Sequence, residues 1–145
     1  LHRRRHSFPT RRSSDLVAFG TANEASPSAN DETQIATAAS PADSYRATSV
    51  IGGSNVFANA ATAGNAPPAR TKVAAKFAAN DFAISHNGAA VITDVSGAMP
   101  TTAQTRLAIG SDPAALGTNS FMGRIRRIVA WPSALSSTDL QSAAT

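Results

Sequence analysis

The dipeptide Asn87-Gly88 lies between two short runs, Phe82-Ala83-Ile84-Ser85-His86 and Ala89-Ala90-Val91-Ile92-Thr93. Asn and Gly both tolerate the positive φ that a type I′ turn requires at its two central positions, so this pair is a strong short-range signal for a β-hairpin. The run before it alternates, with Phe82 and Ile84 on one face, which is the period of a half-buried strand. A two-stranded hairpin is marginal in water. The rest of the chain must therefore supply further strands and a surface to cover the apolar face.

The neighbouring sequence repeats the pattern. Residues 71–77 place Val73, Ala75 and Phe77 on one face, and Asn80-Asp81 turns the chain into the hairpin. Upstream, Tyr45-Arg46-Ala47-Thr48-Ser49-Val50-Ile51, the turn Gly52-Gly53-Ser54-Asn55 and Val56-Phe57-Ala58 form a second hairpin pattern. Thr33-Gln34-Ile35-Ala36-Thr37-Ala38 alternates weakly, and Val17-Ala18-Phe19 is a strand remnant. Residues 62–70, with Gly64-Asn65 and Pro67-Pro68, read as a loop. Residues 105–109 read as a strand carrying Leu107 and Ile109. Residues 121–131 read as the last strand, its alternation interrupted at Arg126-Arg127, where a bulge is expected.

The chain ends differently. Ser136 is a good N-cap, Asp139 follows at N3 in a capping-box-like spacing, and Leu135 and Leu140 are placed as a hydrophobic staple. One short helix, Ser137 to Ala143, is predicted. Many short strands with turn signals and no longer helix point to an all-β sandwich or barrel rather than α/β.

Composition narrows the function classes. The 145 residues form one domain by size. There is no cysteine, which excludes disulfides and thiolate metal sites. No apolar run approaches the roughly 20 residues of a membrane helix, and no membrane partner is expected. The net charge is +4, but it is unevenly placed. Residues 1–16 hold five Arg against Asp15. The remainder balances Arg46, Arg70, Lys72, Lys76, Arg106, Arg124, Arg126 and Arg127 against Glu24, Asp31, Glu32, Asp43, Asp81, Asp94, Asp112 and Asp139. A neutral body gives no electrostatic footprint for nucleic acid.

The basic leader has too short an apolar stretch after its charges to be a secretory signal, and Pro9 and Asp15 spoil an amphipathic presequence. The run His6-Ser7-Phe8-Pro9-Thr10-Arg11-Arg12-Ser13-Ser14-Asp15-Leu16 resembles the conceptual translation of a DNA-sequencing adapter. That resemblance implies that residues 1–16 are an artefactual, disordered leader. The domain would then occupy 17–145, as a partial copy truncated at its N-terminus.

Within 72–140 the order of elements resembles a known family. The pieces are Lys72-Val73-Ala74-Ala75-Lys76-Phe77 with the strand ending at Asn87-Gly88, then Leu107-Ala108-Ile109-Gly110, then Phe121-Met122-Gly123-Arg124-Ile125 through Trp131-Pro132 to Leu140. Together they are similar to laminin-G-like domains, including variants found in phage tail proteins. The resemblance implies a concanavalin A-like jelly-roll sandwich that binds carbohydrate or protein ligands, in an extracellular or virion setting. Glycans, surface receptors or the subunits of a larger assembly are the implied partners.

Candidate site residues follow from this. Tyr45 is the better-placed candidate for an exposed aromatic that stacks on a sugar, whereas Trp131, in the closing strand, is expected in the core. Some laminin-G relatives bind calcium through loop oxygens; here Asp94, Asp112 and Asn119 lie in loops that could converge, although turn formation explains each. No other cofactor is expected. Arg124, Arg126 and Arg127 form the one basic cluster of the body, expected to be a solvated strand face near Asp94 or Asp112. His86, beside the hairpin tip, is expected to be exposed. No catalytic role is expected: the only glutamates are Glu24 and Glu32, both in the N-terminal part, and no G-x-S-x-G, zinc or P-loop motif is present. The sequence therefore predicts a non-catalytic binding module, with a structural or assembly domain as the alternative.

Overall fold

A computed structural model describes residues 16–23, 31–38, 44–62, 70–117, 119–121 and 123–145. The leader reading over 1–15 and most of the loop expected over 62–70 lie outside these residues. Eight strands and one helix form among the described residues: β1 (Leu16–Ala22), β2 (Asp31–Ala38), β3 (Ser44–Ile51), β4 (Ser54–Thr62), β5 (Val73–Lys76), β6 (Phe82–His86), β7 (Ile92–Asp94), β8 (Arg106–Ile109) and α1 (Ser137–Ala143). They make a five-stranded sheet in the order β4-β3-β2-β1-β8 and a three-stranded sheet in the order β5-β6-β7. Every pairing is antiparallel. The fold is the all-β sandwich expected, closed by one short C-terminal helix. β8 returns by a long connection to lie beside β1, as a Greek key returns its last strand beside its first.

Both expected hairpins form, for the expected reason. Asn87 and Gly88 have φ of 44° and 71°, and Gly52 and Gly53 have 56° and 77°. Positive φ at both central positions is the mirror-image turn that matches the twist of paired strands. The Ala89 N–H closes the first turn on the His86 carbonyl at 2.8 Å.

β6 is the centre of the molecule, with all five of its residues buried. Phe82 and Ile84 face the five-stranded sheet and pack with Tyr45 and Ala47 of β3; Val73, Ala75, Phe77, Ile92 and Met99 surround them. Ala83 faces the other way and joins Ala74, Leu140 and Ala144 beneath α1. Small residues on that side let the helix approach closely. Ser136 caps α1 as predicted: its Oγ accepts from the Asp139 N–H and donates to Asp139 Oδ2 at 2.7 Å. Leu135 and Leu140 sit in the same cluster, as the staple requires.

Four expectations need correction. Residues 123–131 form no strand and join no ladder; all of them are exposed. Alternation makes a segment competent to pair but does not supply a partner. Trp131 is consequently 47% exposed rather than in the core. In β8 it is Ala108 that is buried, while Leu107 and Ile109 are each 56% exposed. Through Thr21 and Thr33, the register puts Leu107 on the same face as Ser49 and Ala47. The three-stranded sheet covers that face at β3 and β4 only, so its β1–β8 end stays open. Finally, His86 is buried. It pairs with Val73, and the turn beyond it is held from α1 by a 2.7 Å bond from Gln141 Nε2 to the Gly88 carbonyl.

Candidate functional site

The outer face of the five-stranded sheet, turned away from the three-stranded sheet, carries an unusual load of buried polar groups. Cross-strand partners share a face, so the register aligns Arg106, Ala22, Glu32 and Val50 in one row and Ala108, Gly20, Gln34 and Thr48 in the next. Arg46 lies beyond, opposite Ala36. Glu32, Gln34 and Thr48 are all buried. The loop after β8 folds over this face: Pro113 is fully buried, and a Cβ on Gly20 would stand 2.8 Å from Pro113 Cγ and 2.9 Å from the Thr33 carbonyl. Glycine at position 20 is what lets the loop close down.

Asp112 braces that loop. Its Oδ1 accepts from the N–H groups of Ala114 and Ala115 at 2.9 and 3.1 Å, and its Oδ2 accepts from Asn119 Nδ2 at 3.2 Å. Beneath it, Glu32 Oε1 accepts from Gln34 Nε2 at 2.7 Å, while Oε2 has no hydrogen-bond partner. Burial first, and the Asp112 charge second, push the Glu32 carboxyl up to about 7, against the opposing pull of Gln34 and Arg46. A carboxyl that titrates near neutrality can serve as a proton donor or acceptor, but this one is only 4% exposed. The arrangement is built to close a loop over a sheet. A glycosidase would instead need two carboxyls flanking an open cleft.

Of the four residues singled out from sequence, the structure brings two together. Asp112 and Asn119 meet in the loop just described. Asp94 lies at the end of β7 in the other sheet, where Ser96 N–H and Oγ bind its Oδ1 at 2.9 and 2.7 Å and hold its carboxyl below the usual value. Tyr45 is buried in the inter-sheet core, as packing in its hairpin would have it and not as an exposed stacking ring: alternation puts residue 45 on the face that meets β6. Asp94 ends β7 of the three-stranded sheet whereas Asp112 lies in the loop after β8, and Asn119 turns its amide N–H, not its oxygen, toward the Asp112 carboxylate. Among the described residues no group of three or more His, Asp or Glu is placed to hold a metal.

A second surface emerges at residues 123–131. Ile125, Ile128, Val129 and Trp131 are between 39% and 47% exposed, and the three arginines between them are exposed as well. Among the described residues no carboxylate pairs with Arg124, Arg126 or Arg127; the expected neighbours Asp94 and Asp112 are engaged by their own loops. Sequence reasoning treated this segment as core strand and missed it as surface. It also weighed Glu32 only as a catalyst. The signal that could have found the polar face is the spacing of Glu32 and Gln34, two polar residues on one face of an interior strand.

No family model matches the chain, and no curated protein matches it. Among solved structures, an S-layer domain-containing protein from Clostridium thermocellum is similar, with a TM-score of 0.47 and 14% identity, covering 100% of this chain and 70% of that one.

Proposed function

We propose that this chain is a non-enzymatic structural domain that joins subunits of an extracellular or virion assembly. One observation carries the reading: residues 123–131 present four large apolar side chains and three arginines to solvent, and among the described residues the arginines pair with no carboxylate and the backbone with no strand. Apolar side chains exposed together in this way mark an interaction surface, and backbone without ladder partners is a template for pairing with another chain. The resemblance of residues 72–140 to laminin-G-like modules supports an extracellular or virion setting.

A second reading, glycan binding, is favoured by Trp131, whose ring is 47% exposed beside the arginines; aromatic faces stack on sugars. Sedimentation velocity of the full chain over a wide concentration range separates the two. Assembly requires association that deepens with concentration and weakens with salt. A chain that stays monomeric throughout, with a melting temperature raised by one saccharide of a panel, overturns assembly in favour of glycan binding.

A further inference from the structure

We infer that the partner for residues 123–131 is a second copy of this chain, and that the segment adds as a fourth strand beside β7 of that copy. The inference rests on the assembly reading and names the surface the segment meets.

The segment has the form of an amphipathic strand. Alternation puts Ile125, Arg127, Val129 and Trp131 on one side and Arg124, Arg126, Ile128 and Ala130 on the other. It contains no proline, which would remove a ladder donor; the first follows at Pro132.

Charge selects the edge. β5, at one side of the three-stranded sheet, is flanked by the exposed Arg70 and by Lys72, while Lys76 at its end is buried and ion-paired with Asp81. β8, at one side of the five-stranded sheet, begins at Arg106. β5 and β8 would repel a segment carrying three guanidinium groups, and β4, at the other side of the five-stranded sheet, carries no charged residue to attract it. β7 is the opposite case. Among the described residues it pairs only with β6, so no described strand occupies its outer edge. It ends at Asp94, the acidic group at this edge; Asp81, one residue before the Phe82 that pairs with Asp94, is already ion-paired with Lys76.

The faces match as well. Ile92 and Asp94 are two apart and so share a side, and Ile92 belongs to the core between the sheets, with Met99. A strand added here with Ile125, Val129 and Trp131 on that side would extend the core beyond Ile92 and set Arg127 beside Asp94. Val95, just past β7, is 78% exposed and would be covered. Donor segment and acceptor edge are different surfaces of one molecule, so the contact is head-to-tail, which propagates into an open chain unless the rotation closes a ring.

The test uses sedimentation velocity on the full chain. Arg126→Glu/Arg127→Glu alters only exposed side chains. Thr93→Lys places a positive charge on the exposed outer position of β7. Circular dichroism melts confirm that each variant is folded. Wild type is expected to associate, and each variant alone to associate at least about tenfold more weakly, since like charges placed together at an interface cost several kcal/mol and each tenfold is about 1.4. An equimolar mixture of the two variants is expected to recover association, because the acidic segment of one meets the lysine edge of the other. If the arginine variant loses association while Thr93→Lys does not, the β7 edge is overturned and the assembly reading survives. Wild type that is monomeric at every concentration overturns both.

Discussion

Gln34 Nε2 donates to Glu32 Oε1 at 2.7 Å across two residues of β2, and among the described residues it is the one hydrogen bond to a carboxyl otherwise sealed beneath the Asp112 loop. Burial and the Asp112 charge hold the Glu32 pKa at about 7 against the usual 4.5 of a glutamate. The folded state therefore binds this proton more tightly than the unfolded chain does. Its contribution is fully present below about pH 4.5 and is lost as pH rises through about 7, a change on the order of 3 kcal/mol. Asp31 and Asp94 are shifted downward and act in the opposite sense, at more acid pH, so the window between belongs to Glu32. Urea melts across that window are expected to show falling stability in wild type and a flat profile in Glu32→Gln. Rising wild-type stability over the same range would contradict the burial of this carboxyl.

The turn at Asn87-Gly88 should be sensitive to side-chain bulk. Gly88 has φ of 71°, and a Cβ there would lie 2.9 Å from Thr145 Oγ1. Gly88→Ala is expected to cost about 1–2 kcal/mol from the left-handed backbone alone. Denaturant unfolding measures it, and Asn87→Gly serves as a control that keeps the turn conformation accessible.

Core and binding roles for Tyr45 predict different behaviour. Packed with Ala47, Phe82 and Ile84, Tyr45→Ala is expected to destabilise by about 3–5 kcal/mol, as other large-to-small core changes do, and Phe82→Ala by a similar amount. A binding ring would leave the melting temperature unchanged on truncation.

Ser136→Ala removes the oxygen that accepts from the Asp139 N–H. About 1 kcal/mol is expected, read as a lower urea midpoint with unchanged slope. Leu140→Ala, which empties the cluster beneath α1, is expected to cost about 2–5 kcal/mol.

Local chemistry was the legible part of this fold. Positive-φ residues at Asn87-Gly88 and Gly52-Gly53 announced both hairpins, and Ser136, Asp139 and Leu140 announced the helix to the residue. Partners across space were not legible. Leu107 and Ile109 alternate as a buried strand should, yet the second sheet does not reach the face they occupy. The segment ending at Trp131 has the pattern of a closing strand, yet it pairs with no described strand of this chain. Tyr45 and Glu32 illustrate the same limit from inside: adjacent strands assign them to opposite faces of one sheet, and only the covering layer decides that the first is core and the second a buried carboxyl. Asp112 and Asn119 could be named from turn chemistry, but their hydrogen bond depends on how the loop closes over Gly20.

Hydrogen exchange read by mass spectrometry, on the full chain at low and at high concentration, tests assembly through residues 123–131 most directly. In the dilute chain these amides have no ladder partner and are expected to exchange rapidly. At high concentration they are expected to become protected together with amides around β7, while β6 is protected in both conditions. Slow exchange across 123–131 in the dilute chain, or no gain of protection on concentrating it, would contradict the reading of this segment as an unpaired assembly strand.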